Sequence, residues 1–130
     1  MTAKKRILII DDTTDITDSL KLYLERTGAY EVRIERNGAA GIAAVQEFHP
    51  NLILLDVVMP GMSGDMVAEA IEQDELGKRI PITFLTAAVT HRELAGRGGT
   101  IGGRPFLSKL TPLKQIIEHI ETTLNPTGRT

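Results

Sequence analysis

The amino-acid sequence predicts an α/β sandwich, in which helices cover both faces of a parallel β-sheet. Two observations lead to this fold class. Short apolar segments of strand length alternate along the chain with longer segments of helical period, which is typical of a parallel sheet built from right-handed crossovers. Some of the short segments are also continuously apolar, as strands covered on both faces are.

Five of the short apolar segments are predicted strands. The first, third and fourth are continuously apolar and are predicted to be buried, whereas the second alternates more and suits an edge of the sheet. In chain order, the predicted strands are residues 6–10, 31–35, 52–56, 82–86 and 105–108.

Four segments of helical period are predicted helices. They are residues 14–28, with a stop at Gly28, residues 39–48, residues 65–74, and a last helix with Thr111 as N-cap and Pro112 at its first position. The apolar residues assigned to inner faces are Ile16, Leu20, Tyr23 and Leu24 in the first helix, Met66, Val67, Ala70 and Ile71 in the third, and Leu113, Ile116, Ile117, Ile120 and Leu124 in the last.

A further helix is expected between the fourth and fifth strands, but residues 90–104 are rich in glycine. The segment contains Gly96, Gly98, Gly99, Gly102 and Gly103. Each interior glycine costs a helix about 1 kcal/mol relative to alanine. We therefore expect the segment 90–103 to be mobile in the free protein and to become ordered on binding a partner.

The composition indicates one domain. The chain has 130 residues, 42% apolar and 25% charged, with a predicted core at about 5–124 and a short tail at 125–130. It has no cysteine, which excludes disulfides and thiolate metal sites and suits a reducing compartment. The apolar run near the N-terminus is too short for a signal peptide or membrane span, so we expect a cytoplasmic protein without membrane insertion. A net charge of -2 argues against direct nucleic-acid binding.

Polar residues follow the predicted strands at the edge of the sheet where ligands bind in open parallel sheets. Asp11 and Asp12 follow the first strand and Asp56 ends the third, so three carboxylates are expected in one pocket. Such carboxylates repel one another unless a hard cation lies between them, and Mg²⁺ fits best, with Mn²⁺ as a substitute. Thr86 ends the fourth strand, and Lys109, just after the fifth, supplies a second compensating charge.

Each of these residues also has a purely structural interpretation. An Asp pair after a strand is often only a turn or a helix cap, and a strand-terminal Asp before a Pro-Gly turn is more often part of the turn than a nucleophile. A lone Thr is usually core or capping, and a lone Lys is usually solvated. Only their joint placement at one edge of the sheet favours a functional site.

The segments "ILIIDD", "LILLDVVMPGMSG", "FLTA" and "FLSK", in this order, closely resemble the receiver domain of two-component response regulators. The resemblance runs from about residue 5 to residue 124, and "LLDxxMPxMxG" is its most specific segment. It implies a flavodoxin-like (βα)5 three-layer sandwich, similar to a single-domain chemotaxis receiver, with the parallel strands in the order 2-1-3-4-5.

The resemblance also implies a role for each residue of the predicted pocket. Asp56 would accept a phosphoryl group from a phosphohistidine on a partner protein. Asp12 and Asp56 would bind Mg²⁺ directly, Asp11 would bind it through water, and the backbone carbonyl of Val58 would complete the ligands. Lys109 would help to neutralise the phosphoryl oxygens.

Other residues are expected to switch or to tune the site. Thr86 would hydrogen-bond the phosphoryl group, and Phe106 would rotate inward with it. Val58 and Ala88 stand two residues after the phosphoacceptor and two after Thr86, positions that set the rate of hydrolysis in this family. Neither side chain can orient a water molecule, so slow self-dephosphorylation is expected.

Two local backbone features are also predicted. The loop after Asp56 turns sharply, and Gly61 and Gly64 are expected to adopt its unusual backbone angles. The family usually has a proline after the lysine, with a cis bond between them, whereas Leu110 follows Lys109 here. Since a non-proline cis bond costs about 2.5–4 kcal/mol, this bond is predicted to be trans.

The predicted function is that of a stand-alone response regulator receiver rather than an enzyme, with Mg²⁺-dependent self-phosphorylation and slow self-dephosphorylation as its only reactions. Its partners would be a histidine kinase or histidine phosphotransfer protein and a downstream protein bound through the face formed by residues 90–124. Two alternatives stay open: the receiver part of a larger regulator or hybrid kinase, and an interaction module that does not depend on phosphorylation.

Two other protein classes fit less well. A haloacid-dehalogenase-type phosphatase has an acid two residues after its first Asp, where Thr13 or Thr14 stands here. A flavin or nucleotide binder of the same topology needs a glycine-rich loop after the first strand, where this chain has "DDTTD".

Overall fold

The computed structural model describes residues 3–87, 100–101 and 103–125. Within these ranges the chain forms six strands, four α-helices and one short 3₁₀ helix. The strands are β1 (Lys5–Ile10), β2 (Tyr30–Glu35), β3 (Leu52–Leu55), β4 (Ile82–Thr86), β5 (Thr100–Ile101) and β6 (Arg104–Ser108). The helices are α1 (Thr17–Arg26), α2 (Gly38–Phe48), α3 (Gly64–Glu72), the 3₁₀ helix (Gly77–Arg79) and α4 (Leu113–Leu124).

The strands form one sheet in the order β2-β1-β3-β4-β6-β5. The first five of these pair in parallel, and β5 pairs antiparallel with β6. Counted along the chain, the five parallel strands therefore stand in the order 2-1-3-4-5, which confirms the predicted fold, with β6 as the predicted fifth strand. The strand β5 was not predicted, because a two-residue strand carries no readable periodicity.

Side chains of the central strands alternate between two apolar layers. Leu8 and Ile10 of β1 pack with residues of α2 and α3 on one face of the sheet. Ile7 and Ile9 pack on the other face with residues of α1 and α4. The three-layer sandwich is thereby confirmed. So is the apolar stripe predicted for the last helix, whose buried or partly buried members are Leu113, Ile116, Ile117, Ile120 and Leu124.

Two predicted inner-face residues point outward instead. Tyr23 in α1 is 48% exposed and Met66 in α3 is 55% exposed. In α3 the buried positions are 64, 67, 68 and 71, so that Ala68, and not Met66, completes the inner stripe. Because successive residues are about 100° apart around a helix, position 66 lies on the opposite side from that stripe.

The start of α4 is shifted by one residue from the prediction. Pro112, and not Thr111, is the N-cap, and no side-chain hydrogen bond caps the helix. The physical reason is the backbone of Pro112, whose ψ of 140° is extended and not helical. The helix therefore begins at Leu113.

The helix expected in residues 90–104 and the mobility predicted for residues 90–103 fall mostly on residues 90–99 and 102, which lie outside the described residues, while residues 100–101 form the strand β5. In the described part of the chain, every helix is too short or too polar to cross a membrane.

Candidate functional site

The carboxyl ends of the parallel strands bring two acids and a lysine together. β1 and β3 are neighbours in register up to their last residues, so Asp11 and Asp56 leave the sheet side by side. Lys109 follows β6, and its backbone N–H donates to the carbonyl oxygen of Thr86 at 3.0 Å. Asp11, Asp56 and Lys109 are only 1%, 6% and 8% exposed, which makes this edge a buried charged pocket.

Three carboxylates converge in the pocket, as predicted. One oxygen each of Asp11, Asp12 and Asp56 can be chosen such that all lie within 4.8 Å of one another. Asp12 is exposed, so the cluster is open to solvent on its side. This donor set, made of carboxylate oxygens alone, fits a hard divalent cation such as Mg²⁺.

A buried oxygen of Asp11 supports the same conclusion. Oδ2 of Asp11 accepts no well-directed hydrogen bond from the described residues, although the Nζ atom of Lys109 lies 2.7 Å away. We interpret this contact as an ion pair, because the distance is short even though the hydrogen-bond direction is poor. A buried carboxylate oxygen with spare acceptor capacity is suited to a metal ligand.

The Lys109 ammonium is closest to Asp11 rather than to the predicted phosphoacceptor. Its Nζ atom lies 2.7 Å from Asp11 Oδ2 and 3.7 Å from Asp56 Oδ2. On its other side it donates to Thr13 Oγ1 at 3.0 Å and lies 3.5 Å from Asp15 Oδ1. One ammonium group therefore lies within 3.7 Å of three carboxylates, those of Asp11, Asp15 and Asp56.

Burial and neighbouring charges have opposing effects on the pKa values of Asp56 and Lys109. Burial raises the pKa of Asp56 and the Asp11 carboxylate raises it further, while Lys109 and the Val58 N–H, at 3.4 Å, oppose the rise without cancelling it. For Lys109, burial disfavours the charge, but Asp11, together with Asp56 and Asp15, outweighs burial and raises the pKa. The ammonium therefore stays charged at neutral pH.

Thr86 and Phe106 lie beside the pocket. Thr86 is fully buried at the end of β4, in register with Ser108 of β6. Phe106 is buried and packs in the apolar layer on the α2 and α3 face, together with Phe84. Its ring is thus inside the protein in this structure, and the predicted rotation stays a prediction.

The two glycines after Asp56 are required for different structural reasons. Gly61 has a φ of +84°, a left-handed conformation that favours glycine, as predicted. Gly64 does not have a positive φ, so that part of the prediction is wrong. A Cβ atom on Gly64 would lie 2.3 Å from the carbonyl oxygen of Asp56 and 2.8 Å from the Cα atom of Val57. Gly64 is needed because α3 begins in close contact with the backbone of Asp56 and Val57, just after β3.

The remaining predictions concern the Lys109-Leu110 bond and the residues Val58 and Ala88. No peptide bond is cis in the ranges that the structure describes, so the Lys109-Leu110 bond is trans, as predicted. The Leu110 side chain is exposed. Val58 also exposes its side chain at the rim of the pocket. Ala88 lies outside the described residues.

The structure adds three residues that sequence reasoning missed, Thr13, Asp15 and Arg36. Thr13 and Asp15 belong to the loop between β1 and α1 and contact Lys109. Arg36 follows β2 and donates to the carbonyl oxygens of Asp11 and Thr13. Only one signal could have found Thr13 and Asp15: they lie within four residues of Asp11. No motif marks Arg36.

Comparisons with known proteins agree with this geometry. A sequence model of the response regulator receiver domain matches residues 7–121. The DNA-binding dual master transcriptional regulator RpaA of Synechocystis sp. is 32% identical over 124 residues, covering 95% of this chain and 51% of RpaA. The phosphate regulon transcriptional regulatory protein PhoB of Pseudomonas aeruginosa is also 32% identical over 124 residues, covering 95% of this chain and 53% of PhoB. The chain spans about half the length of these curated relatives.

A solved structure is similar over nearly its whole length. The chemotaxis protein CheY4 of Vibrio cholerae superposes with a TM-score of 0.77 at 25% sequence identity. The superposition covers 92% of this chain and 98% of the CheY4 chain.

Proposed function

The chain belongs to the response regulator receiver domain family, and from this membership we propose that it accepts a phosphoryl group on Asp56 from a phosphohistidine of a partner protein. An oxygen of Asp56 forms a bond to phosphorus while the bond between phosphorus and the histidine nitrogen breaks, and the imidazole leaves with the electron pair of that bond. The observation that carries the proposal is the position of Asp56, at the end of a central strand, inside a carboxylate cluster and beside Lys109.

Asp12 and Asp56 are proposed to bind the cation directly and Asp11 to bind it through water, with the backbone carbonyl of Val58 as a further ligand. A bound Mg²⁺, or Mn²⁺ in its place, would supply positive charge that neutralises phosphoryl oxygens. The Asp56 carboxylate is the proposed nucleophile, because it stands inside the carboxylate cluster and beside Lys109.

Lys109 is proposed to neutralise a phosphoryl oxygen once the group is on Asp56. Its ammonium is already 3.7 Å from Asp56 Oδ2, so a small side-chain movement brings it into contact. Thr86, fixed at the end of β4, is proposed to hydrogen-bond the phosphoryl group, and Phe106 to change its packing in response. The Phe106 change links the chemistry to the face on which partners dock.

A histidine kinase or a histidine phosphotransfer protein is the proposed donor, since receiver domains of this family are phosphorylated by histidine kinases. The proposed output is a change of protein contacts through the face formed by residues 90–124, without direct contact to nucleic acid. The names of RpaA and PhoB describe transcriptional regulators. Whether this receiver acts alone or as part of a larger regulator therefore stays open, and action alone is a prediction.

We also propose that the aspartyl phosphate is long-lived. Hydrolysis needs a water molecule oriented toward phosphorus, and neither Val58 nor Ala88 has a polar side chain to orient it. A phosphorylated lifetime of only seconds would contradict this proposal.

The test of the main proposal is intact mass after incubation with a small phosphodonor, such as acetyl phosphate, and Mg²⁺. The wild type should gain the mass of one phosphoryl group, and Asp56→Asn should gain none. Chelation of the divalent cation should abolish the gain in the wild type. An unchanged mass of the wild type would contradict the proposal and favour the alternative, an interaction module that does not depend on phosphorylation.

A further inference from the structure

The Lys109 ammonium is held between two groups of acceptors. One group is Asp11 and Asp56, which the proposed function assigns to the cation. The other is Thr13, which accepts from Lys109 at 3.0 Å, and Asp15, whose Oδ1 atom lies 3.5 Å from Nζ. Asp15 is therefore a carboxylate near Lys109 that lies outside the proposed set of metal ligands.

Thr13 connects the two groups. Its Oγ1 atom lies 2.9 Å from Asp11 Oδ1 and 2.8 Å from Asp15 Oδ1. The Ile16 N–H fixes Asp15 by donating to Oδ1 at 2.9 Å. Burial alone would raise the pKa of Asp15, but hydrogen bonds from Thr13 and Ile16 and the charge of Lys109 lower it, so Asp15 is anionic at neutral pH.

The loop that carries Thr13 and Asp15 is tied down from the other side by Arg36. Its guanidinium donates to the carbonyl oxygens of Asp11 and Thr13 and to Thr17 Oγ1 at 3.0 Å. The loop therefore presents its acceptors to Lys109 in a fixed position, which is the condition for a positioning role.

We propose that Asp15 is a positioning residue for Lys109: through Thr13, it retains the ammonium beside the pocket when a divalent cation takes the carboxylates of Asp11 and Asp56. The proposal rests on the proposed function, because it assumes that these carboxylates bind a cation. An ammonium that lies 2.7 Å from Asp11 Oδ2 competes for that oxygen with the cation and with the water that the cation would carry. Asp15 lowers the free-energy cost of moving the Lys109 ammonium away from Asp11, because the ammonium keeps Asp15 as an ionic partner after the move.

The test is a double-mutant cycle on Mn²⁺ affinity, measured by the electron paramagnetic resonance of free Mn²⁺ with the whole chain. Asp15→Asn should weaken Mn²⁺ binding about fivefold, which corresponds to about 1 kcal/mol. In the Lys109→Met background the same change should weaken it less than about twofold, because only the distant effect of the charge remains. Asp65→Asn is the matched control, since it removes the same charge from an exposed carboxylate, and it should leave the affinity within about twofold.

A second readout follows Lys109 itself by nuclear magnetic resonance of labelled lysine side chains. On addition of Mg²⁺, the Lys109 signals of the wild type should stay apart from those of exposed lysines, whereas those of Asp15→Asn should move toward them. Thr13→Val should show a smaller shift in the same direction, since it removes the bridging hydroxyl and keeps the charge.

Equal effects of Asp15→Asn with and without Lys109, or no movement of the Lys109 signals, would overturn the positioning role. Failure of the proposed function is seen differently. In that case the wild type gains no phosphoryl mass, or it binds no Mn²⁺, and the second result removes the positioning role as well. A wild type that binds Mn²⁺ and is phosphorylated, with an Asp15→Asn variant of equal affinity, rejects the positioning role alone.

Discussion

Replacing Asp56 by asparagine should stabilise the folded protein when no divalent cation is present. Asp56 is buried, and its carboxylate shares a cluster of 4.8 Å extent with Asp11 and Asp12. The compensating ammonium of Lys109 is closer to Asp11, at 2.7 Å, than to Asp56, at 3.7 Å. Asparagine removes the charge with almost no change of shape, and Lys109 keeps its shorter ion pair.

The magnitude follows from the distances. With an effective dielectric constant near 20, the 3.7 Å contact to Lys109 attracts Asp56 by about 4.5 kcal/mol. A carboxylate oxygen of Asp11 at up to 4.8 Å repels it by about 3.5 kcal/mol or more, so the two terms largely cancel. What remains is the cost of burying the charge, and in a functional site of this kind the neutral variant is typically about 1–2 kcal/mol more stable.

The assay is urea unfolding at neutral pH, first with a chelator and then with Mg²⁺. At a Mg²⁺ concentration about tenfold above its Kd, the wild type gains about 1.4 kcal/mol, whereas Asp56→Asn has lost an anionic ligand and gains less. The stability difference between the two proteins should therefore shrink or reverse when Mg²⁺ is added. Asp65→Asn, an exposed control, should stay within about 0.5 kcal/mol of the wild type in both conditions.

The pH dependence has a definite sign. The folded-state pKa of Asp56 is raised, so its ionisation costs stability as the pH rises through the window from the unfolded pKa to the folded one. The advantage of Asp56→Asn in chelator should consequently fade on acidification below that window. A variant less stable than the wild type at neutral pH in chelator would refute the reasoning, since it would mean that the Lys109 contact outweighs both burial and repulsion.

Three further predictions concern neighbouring parts of the structure. Gly64→Ala should destabilise the fold by about 1–3 kcal/mol in urea unfolding and slow phosphorylation, because its Cβ atom would overlap the Asp56 carbonyl, which is backbone and cannot rotate away. Arg36→Met should cost about 1–2 kcal/mol and weaken Mn²⁺ binding, since it frees the β1–α1 loop. His119 hydrogen-bonds Thr83 at 2.8 Å, and burial lowers its pKa; its contribution to stability should be present above about pH 6.5 and be lost as the pH falls through the folded pKa, a dependence that His119→Gln removes.

Each of these changes has a matched control in the chain. Gly28→Ala tests backbone strain without steric overlap. Gly28 has a φ of +79°, and no atom lies within 4 Å of the position that a Cβ atom would take. Arg26→Met removes an exposed arginine from the last turn of α1. His49→Asn removes an exposed histidine and keeps a residue that tolerates the left-handed conformation found there. The first prediction is contradicted if Gly64→Ala is at least as stable as Gly28→Ala. The second is contradicted if Arg36→Met has the same stability and Mn²⁺ affinity as Arg26→Met. The third is contradicted if His119→Gln leaves the pH dependence of stability unchanged.

The sheet and the carboxylate cluster could be predicted because both depend on local patterns. The continuously apolar run of β3 is readable in four residues, and the carboxyl ends of parallel strands all lie at the same edge of the sheet. Asp11 and Asp56 were therefore placed together without knowledge of side-chain contacts. The errors at Tyr23 and Met66 have other causes. Tyr23 is at the border of a helical stripe, where the neighbouring helices decide which position is covered, whereas Met66 lies opposite the buried stripe of α3, so there the prediction chose the wrong face.

The second set of Lys109 contacts could not be predicted, because it depends on the path of a loop. Thr13 and Asp15 reach Lys109 across a separation of more than ninety residues in the chain. Arg36, which fixes that path, donates to two backbone carbonyls, which any sequence provides, and to the side chains of Thr17 and Asp18. The backbone contacts leave no trace in the types of their partners, and the side-chain contacts join residues eighteen or more positions apart, so local patterns reveal neither.

The charge balance of the pocket links these findings. The described pocket holds one ammonium for the carboxylates of Asp11, Asp12 and Asp56, and that ammonium lies closer to Asp11 than to Asp56, the proposed phosphoacceptor. On the proposed function, a cation at these carboxylates would weaken the contact of Lys109 with Asp11, and the ammonium could then move toward Asp56 or toward Asp15. A phosphoryl group on Asp56 would attract the Lys109 ammonium toward Asp56, and the Asp15 carboxylate would attract it toward Asp15. On the proposed function, the position of Lys109 would therefore differ between the free, cation-bound and phosphorylated states of the site.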